Sequence, residues 1–203
     1  MKQIVQFIED NNISEEEVAK AAHMSLRNFR RQIHSEDRTQ TRIVLILADY
    51  NHRSIDSIFF DQMYNQPINL EGLTWNQVQD IMKLIHPELF TDIKRSSKFK
   101  NFEYNLKNDM GDRMRFIREV VFSLSQTQFG KYMEVTRNTA KYWDEGQINV
   151  DKILKISQRT NISMDFMIRD NYPLTLQTQD MSEALYLAVM TNCVLYRLRN
   201  MKQ

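Results

Sequence analysis

The stretch that decides the fold is Ser125-Gln-Thr-Gln-Phe-Gly-Lys-Tyr-Met-Glu-Val-Thr-Arg-Asn-Thr-Ala-Lys-Tyr-Trp-Asp-Glu-Gly146. A serine followed three residues later by Gln128 is typical of a capping box, in which two side chains hydrogen-bond the backbone at the start of a helix. Thr136 is a second capping residue and predicts a further helix over 137–144. The stretch therefore predicts two short helices that are joined by a tight turn.

The same pattern occurs a second time, nearer the start of the chain. Ser14-Glu-Glu-Glu-Val-Ala-Lys20 aligns with Ser125-Gln-Thr-Gln-Phe-Gly-Lys131, 111 positions later, and the alignment continues without a gap through Met24-Ser25 and Val135-Thr136. Farther along, Ser54-Ile-Asp56 aligns with Ser163-Met-Asp165, 109 positions later. Such self-similarity predicts two copies of one module, at 1–65 and 111–172.

Each copy is predicted to form five short helices, because caps and apolar spacing agree along both. The first copy has a helix ended by Asn11-Asn12, a helix capped by Ser14 with Glu17 completing the box, and helices over Leu26–Ile33, through Ile43–Leu47 and after Ser54. The second has helices through Phe116–Val121, after Ser125, after Thr136, through Ile153–Ile156 and after Ser163.

The stretch from Ser125 to Gly146 resembles the helix-turn-helix of the Cro/phage-repressor class, also called the xenobiotic-response-element family. The Ser-Gln start, the small Gly130, the apolar-then-hydroxyl Val135-Thr136 and the Glu-Gly ending all follow that pattern, and 161–168 looks like the closing helix of the family. Glu134 departs from it, since the family usually has glycine there, and a left-handed backbone costs a non-glycine residue about 1 kcal/mol. The resemblance implies an all-α fold with two tandem lambda-repressor-like five-helix helix-turn-helix domains.

The resemblance also implies how the second copy would bind DNA, with the helix over 137–144 in the major groove. The implied base-facing positions are Thr136, Arg137, Asn138 and Tyr142, with Lys141 close to the DNA backbone. A bidentate bond from Arg137 to guanine, or from Asn138 to adenine, is worth about 1–3 kcal/mol of discrimination. Gln126, at a helix start, is expected to bind a phosphate.

The first copy allows two interpretations. Its three acids, Glu15, Glu16 and Glu17, stand where DNA phosphates would approach and would repel them. Its third helix, however, carries no acid and is rich in hydrogen-bond donors, which are Arg27, Asn28, Arg30 and Arg31. The first copy is therefore either a second DNA-binding module, using Leu26, Arg27 and Arg31, or a module that binds a protein partner.

The segment 66–110 is predicted to be a helical linker. Thr74 and Gln77 form a further capping box, ahead of a helix with apolar residues at Trp75, Val78, Ile81, Met82 and Ile85. The basic stretch 94–100 follows, with Phe99, Phe102 and Tyr104 interleaved or close behind. We favour a solvated connector here over a tether that binds phosphates.

The segment 173–203 predicts a C-terminal helix from about Asp180 to Asn200. Its apolar residues form two stripes, one with Met181, Ala184, Leu185, Ala188 and Leu195, the other with Leu187, Met190, Val194, Leu198 and Met201. A helix that is apolar on two sides needs two surfaces to cover it. We favour a homodimer contact for the second stripe over burial within one chain, and we expect Cys193 to be a small buried apolar residue.

The composition narrows the classes of function. The chain has 27 Lys and Arg against 26 Asp and Glu, a formal charge of +1, but the first copy carries −2 and the second +2. Four glycines and three prolines argue against sheet-rich folds and glycine-loop nucleotide sites. One cysteine, no apolar stretch near membrane-spanning length and no leader pattern predict a cytoplasmic protein without a membrane contact.

No catalytic, metal or cofactor pattern stands out. The four histidines are scattered, and no phosphate loop or nucleophile elbow occurs. The sequence thus predicts a non-enzymatic, sequence-specific regulator of transcription that binds double-stranded DNA, of the phage or mobile-element repressor type. The alternative is an inhibitor or antirepressor in which one or both modules dock on a protein.

Overall fold

A computed structural model describes residues 2–35, 39–60, 67–90 and 104–202, and the fold is mostly α-helical. The first half of the chain contains α1 (Lys2–Asp10), α2 (Glu15–Ala21), α3 (Leu26–Ile33), α4 (Thr41–Tyr50), α5 (Asp56–Phe59), β1 (Ile68–Asn69) and α6 (Trp75–Ile85). The second contains α7 (Met110–Phe116), α8 (Gln126–Met133), α9 (Arg137–Asp144), α10 (Val150–Thr160), α11 (Met164–Ile168), β2 (Thr175–Leu176) and α12 (Glu183–Asn200). A π-helical turn, Ile117–Val121, extends α7.

The predicted helix starts are confirmed at most positions. Both side chains of the capping box are in place at Ser125 with Gln128 and at Thr74 with Gln77. The box predicted at Ser14 is wrong in one half: Ser14 accepts from the backbone N–H of Glu17, but the Glu17 carboxylate accepts the hydroxyl of Tyr50 at 2.6 Å. The phenol of Tyr50, a residue distant in sequence, therefore takes the carboxylate that the cap would have used.

The two halves share one order of elements. Five helices, a two-residue strand and a further helix follow one another in each. The left-handed residues match as well, because Asn12, His23 and His52 have φ of 51°, 54° and 52°, and Ser123, Glu134 and Asn161 at the aligned positions have 55°, 56° and 57°. The caps Thr74 and Ser182 of α6 and α12 are 108 positions apart, close to the offsets of 111 and 109 between the aligned left-handed residues. The repeat therefore includes β1 with α6 and β2 with α12, in the segments that the sequence assigned to a linker and a tail.

A single apolar core runs through both halves. Val18, Phe29 and Leu47 are fully or almost fully buried in the first half, as are Phe129 and Ile153 in the second. The strands β1 and β2 join the halves as an antiparallel pair, with Ile68 opposite Leu176 and Asn69 opposite Thr175. The halves therefore pack against each other rather than standing apart on a connector.

The helix α12 packs against α6. Its inward face is centred on Val189 and Cys193, which are buried, so Cys193 lies where it was expected. Ala184 and Leu195, in one of the two predicted stripes, are exposed instead, because the position of α6 selects a different face. In the other stripe, Leu187, Val194, Leu198 and Met201 are exposed.

Within the described ranges, none of the helices combines the length and the apolar character that crossing a bilayer requires.

Candidate nucleic-acid interface

A tight turn joins α8 to α9. Glu134 adopts the left-handed conformation, with φ 56° and ψ 44°, as its place in the pattern predicted. The turn also needs a small residue at Gly130, because a Cβ there would lie 2.9 Å from the carbonyl oxygen of Val135. Lys155 and Arg159 on α10 form ion pairs with the Glu134 carboxylate. These cations lower the pKa of the Glu134 carboxyl and hold the strained residue in place.

The helix α9 turns one row of polar side chains to solvent. Thr136 caps the helix by accepting from the backbone N–H of Thr139 at 3.1 Å. The inward side is formed by Ala140 and Trp143, which are buried. The outward side holds the residues that the sequence singled out, all of them exposed: Thr136, Arg137, Asn138, Lys141 and Tyr142.

Two members of this row, Arg137 and Tyr142, have much of their surface exposed to solvent. Tyr142 has 51% of its surface exposed. Arg137 is exposed, and no ion pair to it occurs among the residues that the structure describes. Lys141 forms an exposed pair with Glu145 at 3.5 Å, a contact that contributes at most about 1 kcal/mol and exchanges readily for a phosphate. The row can therefore offer its donors to an external partner.

Gln126 stands at the first turn of α8 and is half-buried. Its Nε2 donates to Oδ2 of Asp144 at 2.8 Å. An amide nitrogen has two hydrogens, so one remains for an outside acceptor such as a phosphate oxygen. The bond ties the start of α8 to the end of α9, so Gln126 also has a structural task that the sequence did not indicate.

Beneath this contact lies a buried ion-pair cluster around Arg118. The guanidinium is 3% exposed and binds Asp144 at 2.7 Å and Glu119 at 2.8 Å. It also donates to the carbonyl oxygen of Leu124 at 2.9 Å. Burial on its own lowers the pKa of Arg118, but the bonds and charges of Asp144 and Glu119 outweigh it and raise that pKa overall. The cluster fixes the C-terminal end of α9 against the π-helical turn.

The equivalent surface in the first half is formed by α3. Arg27, Arg30 and Arg31 are exposed, and Asn28 is half-buried and accepts from Arg31 at 2.7 Å. Arg30 binds Glu15 at 2.6 Å. The acids of α2 are therefore partly engaged inside the chain, since Glu15 pairs with Arg30 and Glu17 accepts from Tyr50.

Sequence reasoning missed two sets of residues, one beneath this surface and one where the two halves meet. The Arg118 cluster gives no local pattern, because its partner Asp144 is 26 positions away. The pair Asp56 and Asp165, which joins the halves, was quoted only as part of the repeat. Two acids recurring at aligned positions next to a cap were the available signal.

Two other features that bear on function are clusters of metal ligands and the basic stretch 94–100. Groups of three or more His, Cys, Asp or Glu side chains able to hold a metal ion do not occur in the ranges 2–35, 39–60, 67–90 and 104–202. The basic stretch 94–100, with Phe99 and Phe102, lies outside the described residues. Tyr104 is described, and its hydroxyl donates to Glu119 at 2.6 Å.

Comparison with known proteins finds no matching family model, no matching curated protein and no matching solved structure.

Proposed function

We propose that this chain is a cytoplasmic, sequence-specific DNA-binding regulator of transcription, built from two tandem lambda-repressor-like helix-turn-helix domains. The observation that carries the proposal is the exposed row on α9, which starts at a capped helix end and presents Arg137, Asn138 and Tyr142 to solvent. Side chains near the start of such a helix reach base edges in the major groove. Bound to an operator, the protein acts as a repressor of the phage or mobile-element type by covering the promoter.

The chemistry of each side chain determines whether it binds a base or a phosphate in the proposed complex. Arg137 offers a planar fork that matches guanine, and Asn138 offers a donor and an acceptor that match adenine. Lys141 and the free Nε2 hydrogen of Gln126 bind phosphates and set the register on the duplex. The backbone N–H groups at the start of α8 add a favourable dipole for a phosphate.

Replacing Arg137 by alanine is expected to weaken specific binding by about 10- to 100-fold, because a bidentate base contact is lost. Base preference should relax at one position of the site. The measurement is a fluorescence-anisotropy titration of a duplex selected from a random-sequence pool, repeated with each single-base variant of that duplex.

Two matched variants separate base reading from general charge. Gln126→Ala is expected to weaken binding to all duplexes by a similar factor, because a phosphate contact carries no sequence information. Arg199→Ala removes an exposed cation on α12, outside the row on α9, and should leave base preference intact. The reading helix would be misassigned if Arg137→Ala kept the wild-type affinity and preference.

The second candidate is a protein-binding inhibitor or antirepressor. It is favoured by Glu16, which is exposed at the start of α2, and by the exposed apolar row on α12. Retention on duplex DNA across a salt gradient distinguishes the two. Phosphate binding predicts a steep loss of affinity between about 50 and 200 mM salt, whereas a protein-only binder would pass through at low salt.

The exposed row on α12 also supports the proposal of a homodimer. Leu187, Thr191, Val194, Leu198 and Met201 are all exposed and follow one another at intervals of four, three, four and three residues. That spacing is the repeat of two helices packed as a coiled coil.

We therefore expect Leu198→Glu to convert a dimer to a monomer at micromolar concentration, measured by sedimentation equilibrium. Leu84→Glu changes an exposed leucine on α6 and is the matched control. A wild-type chain that is already monomeric at high micromolar concentration would refute the homodimer.

A further inference from the structure

The two halves meet through residues that occupy the same place in the repeat. The Asp165 carboxylate accepts from the backbone N–H groups of Ile55 and Asp56, at 3.0 and 3.1 Å. In return, Oδ1 of Asp56 accepts from the backbone N–H of Met164 at 2.8 Å. Each aspartate therefore binds the start of the other half's short helix, so the contact is reciprocal.

Three further contacts between the halves also join matching elements. The strands β1 and β2 each follow the fifth helix of their half, and they pair in the antiparallel sense. The sixth helices, α6 and α12, pack against each other. The carbonyl oxygen of Thr39, two residues before α4, accepts from the N–H of Val150, the first residue of α10, at 3.4 Å.

An interface in which a patch contacts its own equivalent is the mark of two-fold symmetry. Here that interface lies inside one chain. We propose that a single copy of this protein is an internal pseudo-dimer that presents α3 and α9 together to one DNA duplex, and that its binding site consists of two unlike half-sites. This inference rests on the proposed function.

The contact between Thr39 and Val150 limits how far apart the two reading helices can lie. Thr39 lies five residues after His34, the C-cap of α3. Val150 lies five residues after Glu145, the C-cap of α9. Five residues span at most about 18 Å. Since Thr39 and Val150 are in contact, the C-terminal ends of α3 and α9 are at most about 40 Å apart. This limit is compatible with the spacing of about 34–36 Å between adjacent half-sites on one face of B-DNA.

The two half-sites must differ in sequence, because the two reading helices do. The aligned positions of the two helices carry different side chains. The half-buried Leu26 aligns with Arg137, and the exposed residues Arg27, Arg30 and Arg31 align with Asn138, Lys141 and Tyr142. Different donors and apolar groups select different bases. A symmetric dimer of identical chains would instead read a palindrome.

The test is selection of bound fragments from a pool of duplexes with a random 30-base-pair core, using the full-length chain. The selection is repeated with Arg27→Ala, with Arg137→Ala and with Arg199→Ala as the control. The enriched duplex is then titrated with wild-type protein, at concentrations far above the dissociation constant, to obtain the ratio of chains to duplex at saturation.

We expect two unlike half-sites with centres about 10 base pairs apart and one chain per duplex, so that a homodimer formed through α12 would hold two duplexes. Arg27→Ala should lose preference in one half-site only and Arg137→Ala in the other, each with a loss of affinity of about 10-fold or more.

Three outcomes would overturn the inference. A palindromic site with two chains per duplex would show that identical chains pair on DNA. A single half-site that Arg27→Ala leaves unchanged would show that only α9 reads DNA. Both outcomes would leave the proposed function intact, whereas no enrichment of any duplex would refute the proposed function itself.

Discussion

Replacing Arg118 by alanine is expected to lower the free energy of unfolding by about 3–5 kcal/mol. The change leaves Asp144, which is 5% exposed, charged and without its guanidinium partner. It also removes the donor to the Leu124 carbonyl oxygen. Among residues 2–35, 39–60, 67–90 and 104–202, the one side-chain partner of Asp144 besides Arg118 is the amide of Gln126. An amide cannot balance a buried charge. Urea denaturation followed by circular dichroism at pH 7 measures the loss.

Two companion variants make this expectation specific to the buried charge. Arg30→Ala removes a cation from an exposed pair with Glu15 and should cost less than about 1 kcal/mol. The double change Arg118→Met with Asp144→Leu removes both charges and should recover most of the stability lost in Arg118→Ala. A cost for Arg118→Ala no larger than that for Arg30→Ala would show that the cluster contributes little.

The stability of the wild-type protein is expected to fall as the pH rises from about 4 to about 7, by roughly 3–4 kcal/mol from the Asp56 carboxyl alone. Burial, and then the nearby charge of Asp165, raise the pKa of Asp56 to about 7 in the folded chain. In the unfolded chain its pKa is about 3.9. The folded state therefore binds a proton that the unfolded state has released, and this stabilising term is complete below about pH 4 and lost through pH 7.

The donors around the two aspartates differ. Asp165 accepts from the guanidinium of Arg169 at 2.7 Å as well as from the two backbone N–H groups. Arg169 in turn binds Asp49 at 2.5 Å. Asp56 has the N–H of Met164 and the hydroxyl of Ser163 as its donors, which lower its pKa less than burial raises it.

Asp56→Asn tests this assignment, because an amide mimics the protonated carboxyl. At pH 8 the variant should be more stable than the wild type by the same roughly 3–4 kcal/mol, and at pH 4 the two should agree closely. Asp180→Asn changes an exposed acid and should follow the wild-type curve. A constant difference between Asp56→Asn and wild type from pH 4 to pH 8 would contradict the raised pKa.

Local structure could be predicted from the sequence because it depends on neighbouring residues. The capping box at Ser125 and the cap at Thr136 are each set by groups three positions apart, and the structure confirms them. The Glu17 half of the first box was wrong because Tyr50, 33 positions away, binds the carboxylate. The inward face of α12 was misjudged because its apolar residues surround the helix and only α6 selects one side.

The sequence by itself determined the helices, their ends and the existence of a repeat, because backbone capping and apolar periodicity act over three or four residues. Only the tertiary structure decided how far the repeat extends and how the copies meet. Burial brings Asp56 beside Asp165, pairs β1 with β2 and seats α12 on α6. These contacts join residues more than 100 positions apart, and their energy depends on desolvation and on donors from the other half, which no local pattern contains.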